Sequence, residues 1–194
     1  NWTQKQCPIY ISCDFKHYGD SIMVSVREGY EAVGVDTYYQ RHANDYTNPH
    51  FHIIEKLLSS YLKNNNIGND ILDLCCGSGE ITKILLNNGS YNIVGSDPYT
   101  FQLYKNQTGK ICYQHTFKDI VSGKLIGQYD TIICSFAMHL CDTSMLNTLL
   151  YQLSLHTKQL IIFTPHKRPE IKSWFRFINS YELDRVKMKI YEAL

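Results

Sequence analysis

The stretch Asp70-Ile71-Leu72-Asp73-Leu74-Cys75-Cys76-Gly77-Ser78-Gly79-Glu80-Ile81-Thr82 decides the fold. Residues 71–74 are an apolar run that carries one acid, Asp73. Two small residues and a Gly-x-Gly turn follow. From Glu80 onward the apolar residues recur at helical spacing, with Ile81, Ile84 and Leu85 on one face. A buried strand, a tight glycine turn and a helix N-terminus are therefore predicted. Gly77 and Gly79 lack a Cβ, so the backbone can take a left-handed φ and a ligand can come close. The helix start presents unpaired N–H groups. A dinucleotide needs Gly-x-Gly-x-x-Gly, with its pyrophosphate on the helix N-terminus. Here the third position is Thr82, and Asp73 would set a negative charge near the phosphates. The pattern fits a cationic ligand better.

Asp73-Leu74-Cys75-Cys76-Gly77-Ser78-Gly79 resembles motif I of the class I S-adenosylmethionine-dependent methyltransferases. That family's ligand has a sulfonium, an α-amino group and no phosphate. The resemblance implies S-adenosylmethionine as cofactor, with S-adenosylhomocysteine as product. It implies that Asp73 helps hold the methionyl end, and that Cys75, Gly77, Ser78 and Gly79 form the cofactor turn. The other reading is a strand–turn–helix whose glycines serve packing alone.

Downstream, residues 91–96 read as a second strand ending at Asp97-Pro98. A carboxylate at that strand end, about 20 residues past the glycine turn, is well placed for a ribose diol. Asp97 resembles the family's ribose-binding acid, with Pro98 beside it. It also reads as a helix N-cap, and both roles are compatible. Residues 110–115 read as a third strand, followed by Thr116 and Phe117. Many family members place an acid directly after this strand to meet the adenine amino group. Here His115 and Thr116 stand nearer that place and Asp119 comes later. A backbone N–H with Phe117 packed on the ring would meet the adenine instead.

Residues 128–134 form a fourth strand that leaves through Ser135-Phe136-Ala137-Met138-His139-Leu140. Tyr129-Asp130 and this exit resemble the family's motif IV. The resemblance lays Ser135 to Leu140 across the cofactor, with Ser135 and Phe136 as its contacts, and makes His139 the first candidate beside the methyl acceptor. A lone histidine after a strand also commonly serves structure. Asp142 caps a helix over 143–157, and 158–164 is a fifth strand. The loop at 165–170 holds His166, a second pocket candidate. Residues 171–181, with Trp174, Phe175 and Ile178, read as a helix, and 185–191 alternates as a strand. The family's sheet normally ends in an antiparallel hairpin, so this reading leaves one strand too few. From residue 158 on there are 8 Lys and Arg against 4 Asp and Glu. That excess reads as a weak nucleic-acid patch or as a solvated strand face.

Upstream, residues 1–35 form an extension, with a hairpin read around Tyr18-Gly19-Asp20. Residues 36–46 read as a short helix crowded with Tyr38, Tyr39, His42 and Tyr46. These four side chains either line the acceptor pocket or pack on the sheet. An amphipathic helix over 50–63 follows Asn48-Pro49. The organisation expected is an extension (1–35) and a methyltransferase domain (36–194). The latter has N-terminal lid helices (36–66) and a Rossmann-like core (70–194), one domain overall.

Composition agrees with a packed domain: 194 residues, 44% hydrophobic, net charge +1. No global charge steers nucleic acid or membrane. Seven scattered Cys without framework spacing suit reduced thiols, and so a cytoplasmic setting. No apolar run is long enough to span a bilayer.

The fold expected is α/β, a three-layer, doubly wound, mostly parallel sheet with an N-terminal helical or hairpin extension. The function expected is methyl transfer to an O or N acceptor, with a small molecule slightly favoured over a nucleic acid. The alternatives are RNA or protein methylation, and an inactive scaffold or partner subunit. His139, Tyr39, His42 and His166 are the catalytic candidates, and no metal is expected. Thr82 and Asp73 disfavour a nicotinamide oxidoreductase.

Overall fold

The computed structural model of the chain describes residues 48–194 and, ahead of them, Thr37. The readings made for residues 1–35 and for Tyr38, Tyr39, His42 and Tyr46 lie outside the described residues.

Strands and helices alternate from the first helix onward. The order is α1 (Phe51–Leu62), β1 (Asp70–Leu74), α2 (Glu80–Asn88), β2 (Asn92–Ser96), α3 (Phe101–Thr108), β3 (Cys112–Tyr113) and α4 (Phe117–Val121). Then come β4 (Tyr129–Ser135), a 3-10 turn (Met138–Leu140), α5 (Thr143–Ser154), β5 (Thr157–Thr164), β6 (Phe175–Leu183) and β7 (Val186–Ala193). Among the described residues seven strands form one sheet, in the order β3-β2-β1-β4-β5-β7-β6. β1 to β5 pair in parallel, and β7 runs antiparallel to both β5 and β6.

Strand alternation divides the core between the two faces. Leu72, Leu74, Ile132, Cys134, Leu160 and Ile162 turn to one face, where Ile120 of α4 and Leu149, Leu150 and Leu153 of α5 cover them. Ile71, Ile133, Ile161 and Phe163 turn to the other face, with Ile53, Ile54 and Leu58 of α1 and Ile81, Ile84 and Leu85 of α2. Central strands covered on both sides must be apolar throughout, which is why β1 and β4 read as runs. Side chains close the helix starts. Thr116 and Asp119 form a reciprocal capping box at α4, and the Asp142 carboxylate accepts the Ser144 N–H at α5.

The structure corrects the reading of residues 171–181 as a helix. Phe175–Leu183 is the edge strand β6, paired to β7, so the terminal hairpin is complete. A bulge between Phe177 and Asn179 breaks the period of two at Ile178. The bulge leaves Trp174, Phe175 and Ile178 at helical spacing. The strand is also exposed along most of its length, so burial gave no alternation to read. The third strand is shorter than predicted, since only Cys112 and Tyr113 pair with β2.

Gly79 shows how tightly the glycine turn is packed. Its φ is +86°, and a Cβ there would lie 2.4 Å from Thr108 Cγ2 of α3. Gly79→Ala is expected to cost about 2–4 kcal/mol, the sum of a left-handed alanine and an overpacked contact. Urea unfolding of the variant checks this, and a loss below about 0.5 kcal/mol would contradict it.

Candidate active site

The strand order reverses at β1. From there the chain builds outward to β3, then returns to add β4 and β5 on the other side. In open α/β sheets the ligand crevice lies at the carboxyl ends of the strands at such a point. A cavity of about 250 Å³ lies there. The loop after β1 contributes Cys75 and Gly77, and the loop after β2 contributes Asp97, Pro98, Tyr99 and Thr100. His115, Thr116, Phe117 and Lys118 come from the third strand's exit and α4. Ser135, Phe136, Ala137 and Leu140 follow β4, and Met145 comes from α5.

Among the described residues Asp97 is the only carboxylate on this wall. Its Oδ1 accepts the N–H groups of Tyr99 and Thr100, both at 2.8 Å. Its Oδ2 accepts the Gly77 N–H at 3.3 Å, across the cavity floor. A carboxylate has about four acceptor positions, so Oδ2 keeps capacity for a ligand hydroxyl. The sequence allowed a turn-capping role or a ligand role, and one oxygen caps while the other faces the glycine turn. Thr100 Oγ1, His115 Nδ1 and Ser135 Oγ are buried with no partner among the described residues. All three residues line the cavity. Polar groups buried without partners are costly, so this wall suits a polar occupant.

The backbone is strained where it meets the cavity. Cys75 and Phe136, neither of them glycine, have φ of +56° and +55°. Such strain concentrates at ligand sites and persists only where the surroundings enforce it. At Cys75 the enforcement is visible, because its N–H donates to the Ser96 carbonyl at 2.7 Å. Neighbouring Cys134 and burial push the Cys75 thiol above the usual thiol range, so it stays neutral. Phe136 lies under His50, with ring centroids 4.9 Å apart and planes within 9°. The start of α1 thus closes over the exit of β4. The Asn48 N–H fastens the same segment to Glu80 Oε1 at 3.0 Å.

Three of the predicted cofactor residues stand behind the wall. Asp73 is buried under α2, where its Oδ2 accepts the Thr82 N–H at 3.2 Å and the Thr82 hydroxyl at 2.8 Å. Burial, with Glu80 and Asp97 nearby, raises its pKa to about 8. Ser78 donates to Glu80 Oε1 at 2.5 Å, and Gly79 packs against α3. Thr82, the residue at the third glycine position of a dinucleotide turn, is fully buried between Asp73 and Tyr104. Glu80 sets a buried carboxylate in the first turn of α2, a charge that disfavours a pyrophosphate there.

Of the residues named as cofactor contacts, Cys75, Gly77, Asp97, Pro98, Thr116, Phe117, Ser135 and Phe136 line the cavity. Asp119 is committed to capping α4 and to Lys124, so it is not free to meet a base. Tyr99, Thr100, Lys118 and Met145 also line the wall without having been singled out, and so do His115, Ala137 and Leu140, which the sequence set near the adenine or across the cofactor. Tyr99 and Thr100 directly follow Asp97-Pro98, and that adjacency was the available signal.

His139 and His166 come together from the exits of β4 and β5, with ring centroids 4.6 Å apart. Burial and His166 push His139 down to about 4, so its imidazole is neutral near pH 7. Its Nδ1 is buried with no partner among the described residues. Among those residues, no group of three or more His, Cys, Asp or Glu is placed to hold a metal ion. No helix there is long and apolar enough to cross a membrane.

An uncharacterized protein of Schizosaccharomyces pombe is 32% identical to this chain, over 76% of the chain and 77% of that protein. The chain belongs to that protein's family. No protein-family model matches it. Among solved structures it is similar to magnesium protoporphyrin IX methyltransferase of Synechocystis PCC 6803 with bound SAM. The TM-score is 0.58 at 16% identity, covering 87% of this chain and 94% of that one. It is also similar to a TehB-like SAM-dependent methyltransferase of Corynebacterium glutamicum, at TM-score 0.58 and 14% identity over 82% and 97% of the chains. A ribosomal protein L11 methylase of Lactobacillus delbrueckii subsp. bulgaricus gives 0.53 and 11% over 76% and 80%. The fold is that of the class I methyltransferases.

The buried Asp73 gives stability a pH dependence. Its folded pKa of about 8 lies above the ordinary carboxylate value. Between those two values the folded chain keeps a proton that the unfolded chain has released. Stability therefore falls as pH rises through that window, by up to ~1.4 kcal/mol per pH unit. Asp73→Asn removes the titration while keeping an acceptor for Thr82. Its unfolding free energy should gain on wild type as pH rises from about 5 to about 8. Parallel urea-unfolding profiles for the two proteins would contradict this.

Proposed function

We propose that the chain is an S-adenosylmethionine-dependent methyltransferase acting on an oxygen or nitrogen acceptor, with a compact acceptor favoured. The observation that carries this reading is Asp97, a carboxylate fixed by three backbone N–H groups at the cavity wall. When bound, S-adenosylmethionine would supply a methyl group activated by its sulfonium. The cavity suits it on three counts. A carboxylate stands ready for a ribose diol, residues with unpartnered buried polar atoms line the wall, and the Glu80 carboxylate in the first turn of α2 disfavours a phosphate.

In this reading Asp97 holds the ribose and the Cys75–Gly77 backbone cradles the methionyl side. Phe117 and Tyr99 flank the base, with Thr116 and Pro98 shaping that end. Asp73 fixes the turn through Thr82 with one oxygen, and its other oxygen, without a partner among the described residues, serves the methionyl end. Ser135 and Phe136 border the methyl end, and the α1 start over Phe136 keeps water out. Positioning and a dry site supply most of the rate in such a displacement. His139, neutral near pH 7, takes the acceptor's proton where one must leave, and His166 orients it. Tyr39 and His42 belong to the acceptor side in the same reading, and residues 36–194 form one catalytic domain. The cavity's apolar far side, Ala137, Leu140 and Met145, favours a compact acceptor over a large polymer.

Calorimetry with S-adenosylhomocysteine and NADH tests the cofactor. Micromolar binding of S-adenosylhomocysteine is expected, with none for NADH. Asp97→Ala should weaken it by about 3 kcal/mol, over a hundredfold, through loss of charge-assisted hydrogen bonds. NADH binding alone, or an indifferent variant, would sink the reading.

His139→Ala should lower labelled-methyl transfer by about 10²–10⁴-fold with S-adenosylhomocysteine affinity unchanged. The wild-type rate should be flat with pH near neutrality, because His139 titrates near 4. Cofactor binding without transfer to any small-molecule, RNA or protein acceptor would instead point to a scaffold.

A further inference from the structure

Next to the His139–His166 pair lies a cationic cluster whose residues do not line the cavity described above. Val186, Met188 and Ile190 of β7 are buried against the α1/α2 face. Strand alternation therefore turns Lys187 and Lys189 to the α5 face, the side on which Met138 and α5 pack. Lys187 pairs across the strands with Thr164, at the carboxyl end of β5. The Thr164 hydroxyl in turn accepts the His166 N–H at 3.1 Å. The two lysines thus lie at the same sheet end as His166, which packs on His139.

The loop after β5 adds Lys167, Arg168 and Lys172. Lys189 Nζ donates to the Lys167 carbonyl at 3.2 Å, which draws loop and strand together. Glu170 senses Lys172, Arg168 and Lys189 together, and their charges hold it below the usual carboxylate range. Lys172 is its ion-pair partner at 2.8 Å, and Lys187 reaches Glu182 at 3.6 Å. Five cations therefore meet two carboxylates, a local excess of three positive charges in a chain of net charge +1. Lys187 and Lys189 are half-buried as well. Burial and the neighbouring Lys187 lower the pKa of Lys189, a cost that a bound anion would offset.

We propose that the methyl acceptor carries a phosphate group, held by Lys187 and Lys189 with Arg168 and Lys172, beside the His139–His166 pair. The assignment of this anion to the acceptor rests on the methyltransferase reading. A phosphomonoester carries about −1.5 to −2 near neutral pH and offers three acceptor oxygens. That charge matches the local excess better than a carboxylate's single charge. The cluster is compact and one-sided. Lys158, at the opposite end of β5 and widely exposed, is no part of it. The phosphate would thereby orient the acceptor's nucleophile toward the methyl end of the crevice.

The test is calorimetry of inorganic pyrophosphate on the full chain saturated with S-adenosylhomocysteine. One-site binding is expected. It should weaken by about tenfold or more in the double variant Lys187→Gln, Lys189→Gln, and stay unchanged in Lys158→Gln. Both variants should keep the wild-type S-adenosylhomocysteine affinity, which shows that they fold. No saturable binding, or equal binding by the double variant, would overturn the proposal. So would a short single-stranded RNA that outcompetes pyrophosphate and is weakened equally by Lys158→Gln, because that marks a diffuse nucleic-acid surface. Failure of the cofactor reading appears separately, as absent heat with S-adenosylhomocysteine alone.

Discussion

The crevice depends on one buried carboxyl group. Asp73 sits at the end of a strand covered on both faces and reaches the first turn of α2 through both the N–H and the hydroxyl of Thr82. Thr82 in turn hydrogen-bonds the Tyr104 hydroxyl at 2.8 Å, which brings in α3. Three elements are thereby locked around the glycine turn. The chain is shielded by burial, and Asp73 Oδ1 is left without a partner among the described residues. Burial also raises the carboxyl's pKa, so at neutral pH it serves as a hydrogen-bonding acid more than as a charge.

That lock explains the strain in front of it. With β1 and α2 fixed, the chain between them has few residues in which to turn, and Cys75, Gly77 and Gly79 all take positive φ. The turn projects the Gly77 N–H toward Asp97, which the second strand delivers from the neighbouring position in the sheet. The exit of β4 repeats the device at Phe136, held under His50. Two strained exits on adjacent strands border the cavity.

Much of this was legible in residues 70–164. Buried parallel strands must be apolar throughout, and the glycine turn and the Asp-Pro after β2 are short-range signals. Part of the cavity wall followed from them, from Cys75 to Phe136. Asp73 illustrates the limit. Its place in the sequence suggested contact with a ligand, and only packing reveals that Thr82 takes one of its two oxygens under α2. The terminal hairpin was obscured for a different reason. An edge strand has no buried face to impose alternation, and one bulge at Ile178 turned its pattern into a helical one. The pairing of His139 with His166 joins two loops about 27 residues apart, as sheet register does and local pattern cannot.

The central claim is that Asp97 and the glycine turn together hold a ribose-bearing sulfonium ligand. A crystal structure of the chain with S-adenosylhomocysteine tests it most directly. The account predicts both ribose hydroxyls on the Asp97 carboxylate and the sulfur turned toward Ser135 and Phe136. A ligand bound elsewhere, or one whose ribose faces away from Asp97, would contradict it.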